Sequence, residues 1–265
     1  MTRRLLPFLT ALALLPVVAS CKGSTAADAG SPLAMISLNA RSKGSGYTTA
    51  PSANFYRAGS FVLSSAASAS DTCQIAPYPL TNYNTASVIG GGAGVVTTIK
   101  SAIDTLLRAT TVDGTYSGRV AGLAFTPGDT VTFTILGDLA GFPRSTVTAK
   151  TAEAFTMSSA TPPAAGQPLE LTWSPAAPLA AMVVSLRYND GTGVPTVANA
   201  QILCDFVDDG AGTVPATLAA RWAAGNAGAR STYFQRLRTV VTRGSDATSF
   251  INIRSTFEIP TPVSP

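Results

Sequence analysis

Three carboxylates, Asp205, Asp208 and Asp209, stand in the run Cys204-Asp205-Phe206-Val207-Asp208-Asp209-Gly210. Oxygen ligands spaced this way on a loop are what a hard cation such as Ca²⁺ takes, provided that six or more converge. The alternating Asp/Asn ligands and closing Glu of a helix-loop-helix calcium loop are missing here, and Asp-Gly is ordinary hairpin-turn chemistry. The run is therefore a candidate Ca²⁺ ligand set whose simpler reading is a turn. The chain has no histidine, which removes every mechanism that needs imidazole as a base or a metal ligand. Glu153, Glu170 and Glu258 are the only glutamates, and their scatter marks no acid and base for glycoside hydrolysis. Gly90-Gly91-Gly92-Ala93-Gly94 lacks the strand-to-helix setting and the following Lys-Ser/Thr of a phosphate loop, and reads as a mobile loop. A non-enzymatic protein without a cofactor is expected.

A second group of residues could bind rather than react. If the strand around Met182–Tyr188 shares a sheet with the last two strands of the chain, period-2 alternation sends Leu186, Tyr188, Leu237, Val241, Ile251 and Ile253 inward. Arg187, Arg236, Arg238 and Arg254 then point outward as a basic strip able to meet an anionic headgroup, a polysaccharide or a protein. The plainer alternative is a solvated face whose arginines discourage edge pairing. Tyr47, Phe55, Tyr56, Tyr78 and Tyr83 are candidates for a sugar-binding face, with core packing as the alternative.

Three cysteines remain to be placed. Cys73 and Cys204 make an even pair once Cys21 is set aside. Either they form a disulfide, or Cys204 is a buried thiol on the apolar face of Ile202-Leu203-Cys204-Asp205-Phe206. Arg3 and Arg4 supply two of the formal +4 charges, so removal of the amino-terminal segment leaves +2, too little to argue for nucleic acid.

That segment opens on Thr2-Arg3-Arg4, continues through the apolar run Leu5–Val18 and closes on small residues. It is a signal peptide: the run is short of the ~20 apolar residues of a membrane span and is broken by Pro7 and Pro16. The closing Val18-Ala19-Ser20-Cys21 resembles the lipobox of bacterial lipoprotein precursors. The resemblance implies diacylglycerol on the Cys21 thiol, cleavage before it and acylation of the freed amine. Several acyl chains hold a protein stably, since each buried CH₂ contributes about 0.8 kcal/mol. Lys22, in place of the aspartate that retains such proteins at the inner membrane, favours an outer-membrane lipoprotein, periplasmic or surface-exposed.

The elements that must position these residues are strands. Only 12% of residues are charged, and Ala, Thr, Ser, Gly and Val are abundant, a balance suited to half-buried strands and neutral turns. Strand patterns recur at Met35–Asn39, Ala53–Arg57, Phe61–Ser64, Asp71–Ala76, Thr115–Ala121 and Thr130–Gly137. They continue at Phe155–Ser159, Leu169–Trp173, Met182–Tyr188, Gln201–Val207, Tyr233–Thr242 and Thr248–Ile259. Thr98–Arg108 fits one short helix or two strands, and Pro215–Trp222 reads as a short helix opened by proline.

Leu169-Glu170-Leu171-Thr172-Trp173-Ser174-Pro175, with Met182-Val183-Val184-Ser185-Leu186-Arg187-Tyr188, resembles the second and third strands of fibronectin type III and immunoglobulin-like sandwiches. The resemblance implies that Trp173 is a core tryptophan between two sheets. The tyrosine corner of that family is not found. The expected organisation is all-β: signal peptide 1–20, lipidated flexible tether 21–32, an N-terminal β-sandwich domain over 33–150 and an immunoglobulin-like β-sandwich domain over 151–265. The expected role is a membrane-anchored binding, adhesion or envelope-scaffolding lipoprotein with a protein or polysaccharide partner, the alternative being a lipid-tethered carbohydrate-binding module.

Overall fold

β-branched residues alternating with small and polar ones favour the pleated backbone, and strands are what most of the chain forms. A computed structural model describes residues 25–27, 30–43, 46–57, 61–63, 70–78, 87–108, 115–118, 123–158 and 160–259. In the first half the strands are β1 (Thr25–Ala27), β2 (Pro32–Lys43), β3 (Gly46–Thr49), β4 (Ser52–Arg57), β5 (Phe61–Leu63), β6 (Thr72–Pro77), β7 (Ser87–Val88), β8 (Val95–Ile99), β9 (Ala102–Arg108), β10 (Thr115–Ser117), β11 (Leu123–Phe125), β12 (Thr130–Ile135) and β13 (Ser145–Lys150). The second half adds β14 (Thr156–Met157), β15 (Leu169–Ser174), β16 (Ala181–Tyr188), β17 (Ala200–Val207), β18 (Ala211–Val214), helix α1 (Ala216–Ala224), β19 (Ser231–Arg243) and β20 (Phe250–Ile259).

The all-β expectation holds. Among the described residues one 15-stranded sheet follows the order β13-β12-β8-β9-β10-β4-β2-β20-β19-β16-β17-β6, with β3, β7 and β11 paired off that path. Two pairings cross the boundary expected at 150/151: β2 lies parallel to β20, with Leu33 opposite Phe250, and β6 lies antiparallel to β17. The two halves thus share one continuous sheet and one contiguous cluster of buried side chains.

The register defines the face that builds the cluster. Met182, Val184 and Leu186 on β16 are opposite Arg236, Phe234 and Thr232 on β19. Arg236 and Val240 are opposite Phe257 and Ile253 on β20, which continue to Ala40 and Ile36 on β2 and, from Ile36, to Ala53 on β4. Over this face β14, β15 and β18 form a second, 3-stranded sheet, and the Trp173 ring of β15 lies 6.1 Å from that of Phe206 on β17. Cys204 and Cys73 are cross-strand partners and are joined as a disulfide with Cα atoms 4.0 Å apart, which settles the open choice for this pair.

One open choice is decided and two local expectations change. Thr98–Arg108 is the end of β8, a turn and β9, because Lys100 adopts the left-handed region (φ 52°) and lets Ile99 pair with Ala102. Regular structure begins inside the expected flexible tether, since Thr25–Ala27 pairs with Phe61–Leu63. The glycine run at 90–94 is laced down rather than left as an unanchored loop: Phe142 N–H donates to Gly90 O (2.8 Å) and Gly137 N–H to Gly91 O (3.1 Å). Gly92 (φ +86°) also lies so close to Gly137 that a Cβ would meet its carbonyl oxygen at 2.0 Å.

Candidate functional site

Of the sequence-derived candidates, Cys21 and Tyr83 lie outside the described residues. The carboxylates of the 204–210 run are dispersed by strand alternation. Asp205 faces one side of β17 and is exposed, whereas Asp208 follows the other side into the core with no exposure. Asp209 closes the turn by accepting the Ala211 N–H at 3.2 Å. The Ca²⁺ set is therefore corrected to a core acid, a turn acid and a surface acid. Among the described residues no group of three or more Asp, Glu or Cys is placed to hold a metal ion.

The basic strip is corrected as well. β16, β19 and β20 are neighbours, as the strip requires, but the register divides its members. Arg187 is opposite Ser231 and Arg254 opposite Thr239, so both share the odd-numbered face of β19. Arg236 and Arg238 take the even, core-facing side.

A buried guanidinium is tolerable only when fully paired, and Arg236 is. Its Nε donates to Asp208 Oδ2 at 2.5 Å and its Nη2 to Oδ1 at 3.1 Å. The remaining donors reach the carbonyls of Ala154 (3.1 Å) and Pro175. Trp173 Nε1 completes the node by donating to Asp208 Oδ1 at 2.6 Å. Arg238 forms a bidentate pair with Glu153, at 2.7 and 2.6 Å. Burial alone would raise the Glu153 pKa, but the hydrogen bonds from Arg238 and Lys150 outweigh it and bring the carboxyl to about 2.

On the other face Arg187 is half-buried, with its guanidinium carbon 4.4 Å from the Tyr78 ring centroid and 4.8 Å from that of Tyr233. Arg254 is exposed. Phe55 is core, packed edge-on to Tyr116 at 5.0 Å, and Tyr47 packs on Phe257 at 5.3 Å. These aromatics therefore do not line a common surface.

A concave polar site forms where β16 ends. The segment after Tyr188 turns at Gly191 (φ +97°) and Gly193 (φ +70°) and is held by two amides. Asn189 Nδ2 lies 2.8–3.0 Å from the carbonyls of Thr192, Val194 and Val197, and Asn199 accepts the Asp190 N–H at 3.0 Å. Asp190 Oδ1 accepts from the Thr192 hydroxyl (2.6 Å), Asn199 Nδ2 (2.8 Å) and the Thr192 N–H (3.0 Å). Its Oδ2 has no partner among the described residues. The Thr192 and Asn199 side-chain bonds lower the Asp190 pKa, so the exposed carboxylate stays ionised.

Facing this loop is the C-terminal end of α1, pinned by buried Trp222, whose Nε1 donates to Arg187 O at 3.2 Å. Gly225 allows the close approach, since a Cβ there would lie 2.9 Å from Tyr188 Cβ. Arg221, in the last turn of α1, is exposed and has no partner among the described residues. Tyr188, Asp190, Pro195, Arg221, Gly225 and Asn226 are among the residues lining the resulting hollow of about 470 Å³. A fixed acceptor and a free donor fork on one hollow suit a neutral ligand carrying several hydroxyl groups, which can donate to the first and accept from the second.

Neither Asp190 nor Arg221 is among the residues that the sequence singles out. The usable signal was the density of Asn, Asp and Thr at 189–199, more than a hairpin turn needs. The chain matches no protein-family model, and no curated protein matches it in sequence.

Proposed function

We propose that the protein is a lipid-anchored, non-enzymatic binding protein of the bacterial envelope. The observation that carries this reading is Val18-Ala19-Ser20-Cys21 at the end of a signal peptide, with Lys22 favouring the outer membrane. The geometry is compatible with it: the hollow lies at the far end of the long strand β19 from the amino-terminal side of β2, since Arg187, before the hollow, is opposite Ser231, while Leu33 lies by Phe250 and Arg243. Thirteen residues of β19 separate these ends by roughly 40 Å. Growth with an alkyne-tagged fatty acid tests the anchor. The full chain is expected to take up label and fractionate with membranes, and Cys21→Ala to lose both; an unlabelled wild-type chain would overturn the reading.

Within that reading the C-terminal half is an immunoglobulin-like sandwich built onto the shared sheet, an assignment supported by Trp173 and Phe206 between the 3-stranded sheet and β17. A carbohydrate-binding role for the tethered protein is favoured by Asp190 Oδ2 and the Arg221 guanidinium lining one hollow, each without a partner among the described residues. An array of neutral oligosaccharides is the probe: binding that falls several-fold in Arg221→Ala supports it, and an array on which wild type and variant behave alike sinks it.

A further inference from the structure

We infer that the end of the sheet carrying Leu139 lies against the lipid bilayer, with Leu139 and Leu136 dipping into the headgroup boundary; this rests on the lipid-anchor reading above. Leu139 is fully exposed at the tip of the β12–β13 turn, a position that water disfavours for so large an apolar side chain, and Leu136 and Val88 are exposed beside it. The turn is stiff. Leu136 N–H donates to Gly94 O (3.1 Å), and Phe142 lies fully buried beneath with its ring 5.4 Å from Phe55.

The location of the chain's amino-terminal side makes the bilayer the occupant. Arg57 reaches both the carbonyl of Ala140, next to Leu139, and that of Gly30, each at 3.5 Å. The path from Cys21 therefore arrives beside this tip. Only residues 22–24 separate Cys21 from β1, which pairs with β5 just beyond Arg57. Four residue steps span at most about 14 Å, so an acylated Cys21 keeps this end close to the membrane while the hollow faces away.

Charge points the same way. Arg57, Arg144 and Arg243 are exposed around the tip, and Ser245 ties the β19–β20 turn to Arg144 by donating to its carbonyl at 2.6 Å. Among the described residues around the tip, Asp138 and Asp246 are engaged in their own turns: Asp138 accepts the Ala140 N–H (3.0 Å) and Asp246 accepts from Ser249 (2.6 and 2.8 Å). Exposed guanidinium groups of this kind suit an anionic lipid surface.

The test uses the full chain purified from bacterial membranes and reconstituted with vesicles of phosphatidylethanolamine and phosphatidylglycerol. A polarity-sensitive dye is placed on Leu139→Cys or, at the far end, on Val194→Cys. The dye at 139 is expected to shift to the blue and to be quenched several-fold more strongly than that at 194 by nitroxide-labelled acyl chains. An anchored chain whose dye at 139 behaves like the one at 194 overturns the docking and leaves the anchor standing. A mass spectrum without acyl groups instead removes the anchor reading. Added vesicles then decide the docking separately, a shift at 139 supporting it and no shift overturning it.

Discussion

Arg236 and Asp208 form an ion pair in which neither side chain has any solvent exposure, at 2.5 Å between Nε and Oδ2. The pair joins β19 to the end of β17, and through Trp173 and the carbonyls of Ala154 and Pro175 it holds the 3-stranded sheet against the large one. Removing one partner strands the other charge in the core. Arg236→Ala and Asp208→Asn are each expected to lower stability by about 3–5 kcal/mol, whereas replacing both by apolar residues of similar volume loses much less. Denaturant midpoints of the two single variants and the double variant measure this. Near-additive losses would mean that the pair does not act as a unit.

Glu153 gives a pH dependence of defined sign. Its carboxyl is lowered from 4.5 to about 2 in the folded chain, so its contribution is fully present above about pH 4.5 and is lost as the pH falls toward 2. Allowing for its partial exposure, the contribution is on the order of 1–2 kcal/mol. Thermal midpoints of wild type and Glu153→Gln, compared between neutral pH and pH 2, are expected to converge as the pH falls.

The Cys73–Cys204 disulfide closes a separation of 131 residues. In the chain-entropy model a loop of that length contributes about 5 kcal/mol. Reduction is expected to lower the denaturant midpoint and to speed amide exchange in Thr72–Pro77 first, because β6 is the last strand on the sheet path and pairs there with β17. Exchange by mass spectrometry with and without reductant reads both.

The crossing of Gly92 and Gly137 tolerates no side chain. Gly92→Ala combines a left-handed backbone with a backbone clash and is expected to cost about 2–3 kcal/mol. Gly166→Ala is a suitable control: its φ is also positive, +78°, but a Cβ there meets nothing within 4 Å. A larger drop in melting temperature for the first variant checks the prediction.

Much of the strand content was legible because apolar and polar residues alternate in runs such as Thr130–Ile135 and Leu169–Trp173. Ser145–Lys150 and Ala211–Val214 were passed over, the former with Thr and Ser where a pattern search looks for larger apolar groups, the latter too short to show a period. The arginine strip failed for a different reason. Alternation states which residues share a face but not which face is inward, and Arg236 was assigned by charge when its partner Asp208 lay 28 residues away. The hollow was illegible because Asp190 and Arg221 belong to elements whose meeting depends on the close approach at Gly225, a tertiary fact with no local signature.

The parallel pairing of β2 with β20 orders events in the life of the molecule. Thr256 hydrogen-bonds to Leu38 across 218 residues of sequence, so β2 waits for β20 to be delivered before the central sheet can close. A chain made amino end first therefore emerges with its middle still unassembled, and a copy cut short ahead of Phe250 leaves β2 with one open edge, ready to recruit a stranger.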